Sequence, residues 1–200
     1  MPFSDYLFVI SRIVSSVQIP LSVDMEMGYG KSDEEIYENI RKLIRLGVVG
    51  INIEDSILHG QARILKDANE FAGTVEFIKN KLETEQHKLF INIRCDTFIL
   101  NVDNKLSQTI ERLNIYDSTG ADGIFLPCIS AEDDIAAVVN KTKLPLNVMC
   151  IPGLPDFKTL NKLGVKRVSM GPFLFSKSYN EAGRLTETII TENSFSAILS

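Results

Sequence analysis

Six short runs rich in β-branched and other apolar residues, at 19–26, 48–54, 89–94, 123–128, 144–150 and 167–170, constrain this chain more than any other feature. Longer stretches with helical spacing separate them, as in Ile36, Ile40, Leu43 and Ile44, or Ile110, Leu113 and Tyr116. Alternation of this kind is the pattern of a parallel sheet wound with helices. Glycines recur just ahead of strands, in Leu46-Gly47-Val48, Thr119-Gly120-Ala121 and Leu163-Gly164-Val165. Each Gly can take the left-handed conformation that closes a helix, so one βα unit is used repeatedly. Ser32-Asp33-Glu34-Glu35 and Ser130-Ala131-Glu132-Asp133 each place a Ser ahead of acidic first-turn residues, and both are read as helix caps. A complete (β/α) barrel has eight strands and about 250 residues. With six strands in 200 residues, the chain is either an open α/β sheet or a barrel short of two units. The segment 6–17 reads as a helix feeding the first strand, so any missing units are expected ahead of residue 1.

Composition narrows the partners. A hydrophobic fraction of 44% supplies one sizeable core, and a net charge of −5 with no basic cluster speaks against nucleic acid. No apolar run reaches the roughly 18 residues that span a bilayer, and the N-terminus lacks a signal-peptide pattern, so a cytoplasmic protein with no membrane partner is expected. Cys95, Cys128 and Cys150 lie far apart, in or just after strand-like runs, and read as buried free thiols.

Chemistry concentrates where the strands end, because ligands of both architectures gather at their carboxyl ends. Ser22, Asp24 and Glu26 alternate with Leu21, Val23 and Met25, which places both carboxylates on one face, and Gly28-Tyr29-Gly30 follows. Glu54 and Asp55 end the second strand, and Asn92, Arg94 and Asp96 share a face of the third. Such carboxylates repel and desolvate one another unless a cation joins them. A hard ion that prefers oxygen, Mg²⁺ or Mn²⁺, fits Asp24, Glu26 and Glu54 as ligands. Arg94 is positioned to bind a substrate carboxylate through its planar fork, or else to form a structural ion pair with Asp96. Asp55 and Asp122 read as turn and cap residues. His59 is the loop residue suited to proton transfer near neutral pH, with simple solvation as its alternative.

At these residues the chain resembles the isocitrate lyase and phosphoenolpyruvate mutase superfamily. The likeness is carried by Pro20-Leu21-Ser22-Val23-Asp24-Met25-Glu26-Met27-Gly28-Tyr29-Gly30, by Gly50-Ile51-Asn52-Ile53-Glu54-Asp55 and by Ile91-Asn92-Ile93-Arg94-Cys95-Asp96. Gly120-Ala121-Asp122-Gly123-Ile124-Phe125 and Gly164-Val165-Lys166-Arg167-Val168-Ser169-Met170-Gly171-Pro172 continue it in the same order. The resemblance implies a TIM-like barrel lacking its first two βα units. It also implies Mg²⁺ on Asp24, Glu26 and Glu54, and substrate contacts from Arg94, Asn92, Gly28, Tyr29 and Gly30. The lyases carry a Cys-bearing catalytic loop after the Glu-Asp pair, whereas Ser56-Ile57-Leu58-His59-Gly60-Gln61-Ala62-Arg63 has no Cys.

The expected function is therefore Mg²⁺-dependent lyase or mutase chemistry on a small 2-oxo or 2-hydroxy carboxylate or phosphonate, through a pyruvate-type enolate. Carbon–carbon and phosphorus–carbon chemistry stay open. The competing reading is a shortened homologue acting as a binding or assembly subunit. A nucleotide binder is disfavoured, since no GxGxxG or GxxxxGK loop follows a strand. A homo-oligomer, dimer or tetramer, is expected from exposed sheet edges, and the resemblance implies residues 173–200 as a C-terminal helical segment exchanged between subunits.

Overall fold

The computed structural model describes residues 1–199. Its chain order is α1 (Phe3–Ser16), β1 (Leu21–Asp24), α2 (Asp33–Leu46), β2 (Val48–Glu54), β3 (Ser56–His59), β4 (Ala62–Leu65), α3 (Ala68–Thr84) and β5 (Phe90–Arg94). There follow α4 (Lys105–Tyr116), β6 (Gly123–Leu126), α5 (Glu132–Val139), β7 (Leu146–Met149), α6 (Phe157–Leu163), β8 (Arg167–Ser169), α7 (Phe173–Glu192) and α8 (Ser196–Leu199). All six expected strands are present. They form one parallel sheet in the order β1-β2-β5-β6-β7-β8, the sequential order of a barrel wall, with β1 and β8 as edges. The sheet curls into a half-barrel, and Arg167 Nη2 on β8 comes within 3.5 Å of Ser22 Oγ on β1.

The two faces of this sheet differ in chemistry. Ile51, Ile53, Ile91, Ile93, Ile124, Leu126 and Val148 point outward and are at most 1% exposed beneath the helices. Against them lie Ile36, Ile40 and Leu43 of α2 and Val75, Ile78 and Leu82 of α3. Each such side chain contributes about 1.5–3 kcal/mol by leaving water. The concave face instead carries Asp24, Asn52, Glu54, Asn92, Arg94 and Asn147, because residues of period two share a face and register aligns Asp24 with Asn52 and Asn52 with Asn92.

Local sequence explains the elements. Ser32 accepts a hydrogen bond from the Glu35 amide at the start of α2, and Gly47, at φ 97°, ends that helix. Gly164 does the same for α6 at φ 94°. Gly120 is left-handed as well, but α4 ends at Tyr116 and the glycine follows an intervening turn. Ser130 does not cap α5, since that helix begins at Glu132 and its N-cap is Ala131. Of the three thiols only Cys95 is buried, because its strand-end position faces the helices; Cys150 is exposed beyond β7.

The β3–β4 hairpin was not anticipated. It pairs Leu58 with Arg63 and His59 with Ala62 across the two-residue turn Gly60-Gln61, with Gly60 at φ 64°. Left-handed Gly at that turn position suits the twist of the flanking strands.

Asp55 is no turn residue. It is fully buried, accepting from Tyr116 Oη at 2.8 Å, Arg112 Nη1 at 2.9 Å and the Asp96 amide at 2.8 Å. These bonds tie the end of β2 to α4 and to the second residue after β5. Asp122 likewise joins elements, accepting from the Ile91 amide and from Lys79 Nζ. Removing the buried acid strands a guanidinium and a phenol, so Asp55→Ala is expected to lose about 3–5 kcal/mol of stability and Tyr116→Phe about 1 kcal/mol. Urea denaturation measures both, and near-equal small losses would contradict this account.

Candidate active site

The polar ends of β1, β2 and β5 meet above the concave face. Asp24 ends β1, and its Oδ1 accepts the Glu26 amide at 2.8 Å. This local bond turns the chain, so Glu26 leaves the pleat with a left-handed φ of 48°. Glu26 therefore does not share a strand face with Asp24, as simple alternation would have it. The turn carries it back toward the site, where its side chain is 44% exposed.

Gly28, Tyr29 and Gly30 shape that turn. A Cβ at Gly28 would stand 2.8 Å from the Ile36 side chain, and one at Gly30 would stand 2.6 Å from the Ile36 amide nitrogen. Asn39 Nδ2 donates to the Tyr29 carbonyl at 2.9 Å, and the Tyr29 ring stacks on Tyr6 with centroids 5.5 Å apart. Tyr6 Oη in turn donates to the Asp24 carbonyl at 2.6 Å. The turn is thus braced by α1 and α2.

Four carboxylates and two guanidiniums converge on the strand ends. Arg94 Nε donates to Asp96 Oδ1 at 2.6 Å, while its Nη1 lies 2.9 Å from Glu54 Oε2 and 3.7 Å from Asp24 Oδ2. Arg63, arriving from β4, contacts Glu54 Oε1 through Nη1 and reaches Glu26 Oε2 through Nη2 at 3.2 Å. Ser56 Oγ donates to Asp96 Oδ2 at 2.6 Å. The side chains of Glu54 and Asp96 are fully buried.

Two positive groups against four acids leave a formal charge of −2. Burial pushes the Glu54 carboxyl up to about 7, with Asp96 adding to the rise and Arg94 and Arg63 opposing it. Burial also raises Asp24, against the Glu26 amide and Arg94. Glu54 Oε2 accepts no aligned hydrogen bond, although Arg94 lies close by. A buried carboxylate oxygen with no aligned hydrogen bond, beside a surplus of negative charge, suits a hard dication. The donors are not arranged as a ready cage, however. Among the described residues no three acid, His or Cys side chains are grouped to hold a metal. Arg63 stands between Glu26 and Glu54.

Beneath the acids runs an amide ladder. Asn92 Nδ2 donates to Asn52 Oδ1 at 2.9 Å and to Asn147 Oδ1 at 3.2 Å, and Asn52 is the register partner of Asp24. Asn92 is thereby committed to its neighbours. His59, at the exposed end of the hairpin, makes no hydrogen bond with the acids. Arg63, which sequence reading passed over, is the hairpin residue that reaches the site. Its signal was positional, a lone Arg three residues past a Gly in a short segment after Glu54-Asp55.

A family model described as phosphoenolpyruvate phosphomutase matches residues 1–190. An uncharacterized protein of Mycobacterium tuberculosis (strain ATCC 25618 / H37Rv) is 31% identical over 180 residues, which cover 90% of this chain and 65% of that protein. Oxaloacetate decarboxylase of Pseudomonas entomophila (strain L48) is 28% identical over 172 residues, 84% of this chain and 58% of the enzyme. The chain therefore spans about three-fifths of the length of these relatives. A phosphonopyruvate hydrolase solved with oxalate and Mg²⁺ superposes with a TM-score of 0.81 at 20% identity, over 99% of this chain and 70% of that one.

A carboxyl whose pKa rises on folding binds its proton more tightly in the fold. Glu54 thus favours the fold at low pH and loses that contribution as pH climbs from its ordinary 4.5 toward 7. In the presence of chelator, the melting temperature of the wild type should fall relative to Glu54→Gln across that window, and a constant difference would show a carboxylate charged throughout. The match over residues 1–190, together with the barrel-wall strand order, places this chain in the phosphoenolpyruvate phosphomutase family of the isocitrate lyase superfamily.

Proposed function

We propose that the chain is a Mg²⁺-dependent lyase or mutase acting on a small 2-oxo or 2-hydroxy acid, with Asp24, Glu26 and Glu54 holding the ion. The observation that carries this reading is the surplus of carboxylate oxygen at the strand ends, including the buried Glu54 Oε2, which faces Arg94 but accepts no aligned hydrogen bond. Family membership supports it, as do a relative named for decarboxylating oxaloacetate and a structural neighbour solved with oxalate and Mg²⁺. When bound, the ion supplies positive charge beside the enolate-type product of C–C or P–C cleavage.

The chain's own residues bind and orient. Asn52, fixed by Asn92, stands opposite Asp24 in the sheet and favours its charged carboxylate. Arg94, only 14% exposed, is held by Asp96 through Nε and Nη2 and turns Nη1 from Glu54 and Asp24 toward an acidic group of the substrate. Calorimetric titration with Mg²⁺ and oxalate tests the assignment. Asp24→Ala and Glu54→Ala should abolish Mg²⁺ binding, whereas Arg94→Lys should weaken oxalate more than the metal, since an ammonium lacks the two-pronged contact. Undiminished Mg²⁺ binding in both acid variants would sink it.

A second reading, a binding or assembly subunit, is favoured by α7. That 20-residue helix has no buried residue, and Leu174, Phe175, Tyr179 and Ile190 are all more than half exposed. We propose that α7 packs on a second copy of the chain and that homo-oligomerisation accompanies either function. Light scattering should give a dimer or larger species, reduced by Phe175→Asp with Ile190→Asp. A monomer before substitution would refute the association.

A further inference from the structure

The hairpin delivers a cation to the acids, and its register decides which one. The two-residue Gly60-Gln61 turn sets Arg63 opposite Leu58, two residues before β4 ends at Leu65, while the next cation, Lys66, pairs with Glu70 instead. The Arg63 guanidinium touches Glu54 Oε1, lies 3.2 Å from Glu26 Oε2 and lies 3.4 Å from Asp96 Oδ2. One planar group therefore bridges a rim acid and two fully buried ones. Those oxygens include the donors that would hold a dication. A guanidinium spreads one charge over three nitrogens, whereas a metal ion places two charges at a point and requires oxygens around it. The two cations cannot occupy the same carboxylate oxygens together.

We infer that Arg63 sets the metal affinity of this site by competing with the dication for Glu26 and Glu54. The inference rests on the reading of Asp24, Glu26 and Glu54 as metal-holding acids. Binding is then an exchange of one cation for another, and the metal must displace the guanidinium from Glu54. Arg63 is also an anchor of the hairpin. Ile57, Leu58 and Ile64 are 37%, 57% and 43% exposed, so the hairpin buries little apolar surface, and a two-stranded hairpin is marginal alone. Its other polar ties are near its base, from Ser56 Oγ to Asp96 and from the Lys66 amide to the Asp55 carbonyl. Exchange at Arg63 consequently loosens the segment that overhangs the acids.

Mn²⁺ titrated into the full chain and followed by electron paramagnetic resonance of the free ion tests this. Arg63→Gln should bind Mn²⁺ about tenfold more tightly than the wild type, the scale of one partly buried charged contact, and Asp24→Ala should bind none. In the wild type, saturating Mn²⁺ should also speed amide hydrogen exchange across 57–64. A folded Arg63→Gln protein with equal or weaker affinity overturns the inference while Asp24→Ala still upholds the metal site. Should Arg63→Gln fail to fold, the wild-type exchange decides: unchanged or slower exchange with Mn²⁺ overturns it. If neither wild type nor Arg63→Gln binds Mn²⁺, the metal reading falls and the inference with it. Tight binding by Arg63→Gln alone supports both.

Discussion

Glu54, Asp96, Arg94 and Arg63 are buried or half-buried together, and none could be so without the others. An isolated carboxylate in such a place neutralises itself or leaves. Here the acids accept from guanidiniums, and the guanidiniums in turn fix the directions in which the chain departs from β2, β5 and the hairpin. The pairing of β2 with β5 sets this up, since its register places Glu54 directly opposite Arg94. One step of slippage would send both side chains to the apolar face, where no partner awaits them. The Asp55 network on that other side pins the same strand end from beneath, through Arg112 and Tyr116 of α4. The site and the core therefore stabilise the same register.

Below the charges, the concave face stays polar for a geometric reason. Asn92 reaches both Asn52 and Asn147 because Gly123 lies between β5 and β7, where a Cβ would stand 2.8 Å from Asn92 Oδ1. A side chain at 123 would break the ladder and leave buried amide groups unpaired. The ladder spends its donors laterally and directs Asn52 at Asp24. The amide beside a rim carboxylate on β1 is thus fixed from β5, two strands away in the sheet.

The sequence made the scaffold readable because strand and helix periodicities differ sharply, and all six parallel strands fall where the apolar runs put them. Asp24, Glu54 and Arg94 were also legible, as polar residues closing apolar strands. Glu26 was assigned the right neighbourhood for the wrong reason, since its place depends on the Asp24 carboxylate accepting its amide and not on the pleat. Asp55 looked like a turn residue because nothing local betrays a partner 57 or 61 residues away in α4. The hairpin escaped notice for a related reason. Its strands are four residues long with mixed patterning, and only Gly60 marked the turn. Arg63 could not be found without that hairpin, and His59 drew attention by its chemistry although the register leaves it at the exposed tip.

Arg63 changes what the acid cluster means. Strand-end carboxylates repel one another unless a cation joins them, and the chain itself supplies one in Arg63. An internal guanidinium lowers the cost of folding before any metal arrives, because the acids need not be buried unpaired. It leaves the compensation incomplete, however: two guanidiniums face four acids, and Glu54 Oε2 keeps no aligned donor. Full neutralisation by two further cationic side chains would have made a structural ion cluster with no capacity for ligand. Partial neutralisation holds the strand ends together while preserving an electrostatic demand for further positive charge. That demand, set above a ladder that orients Asp24, is the physical content of the site.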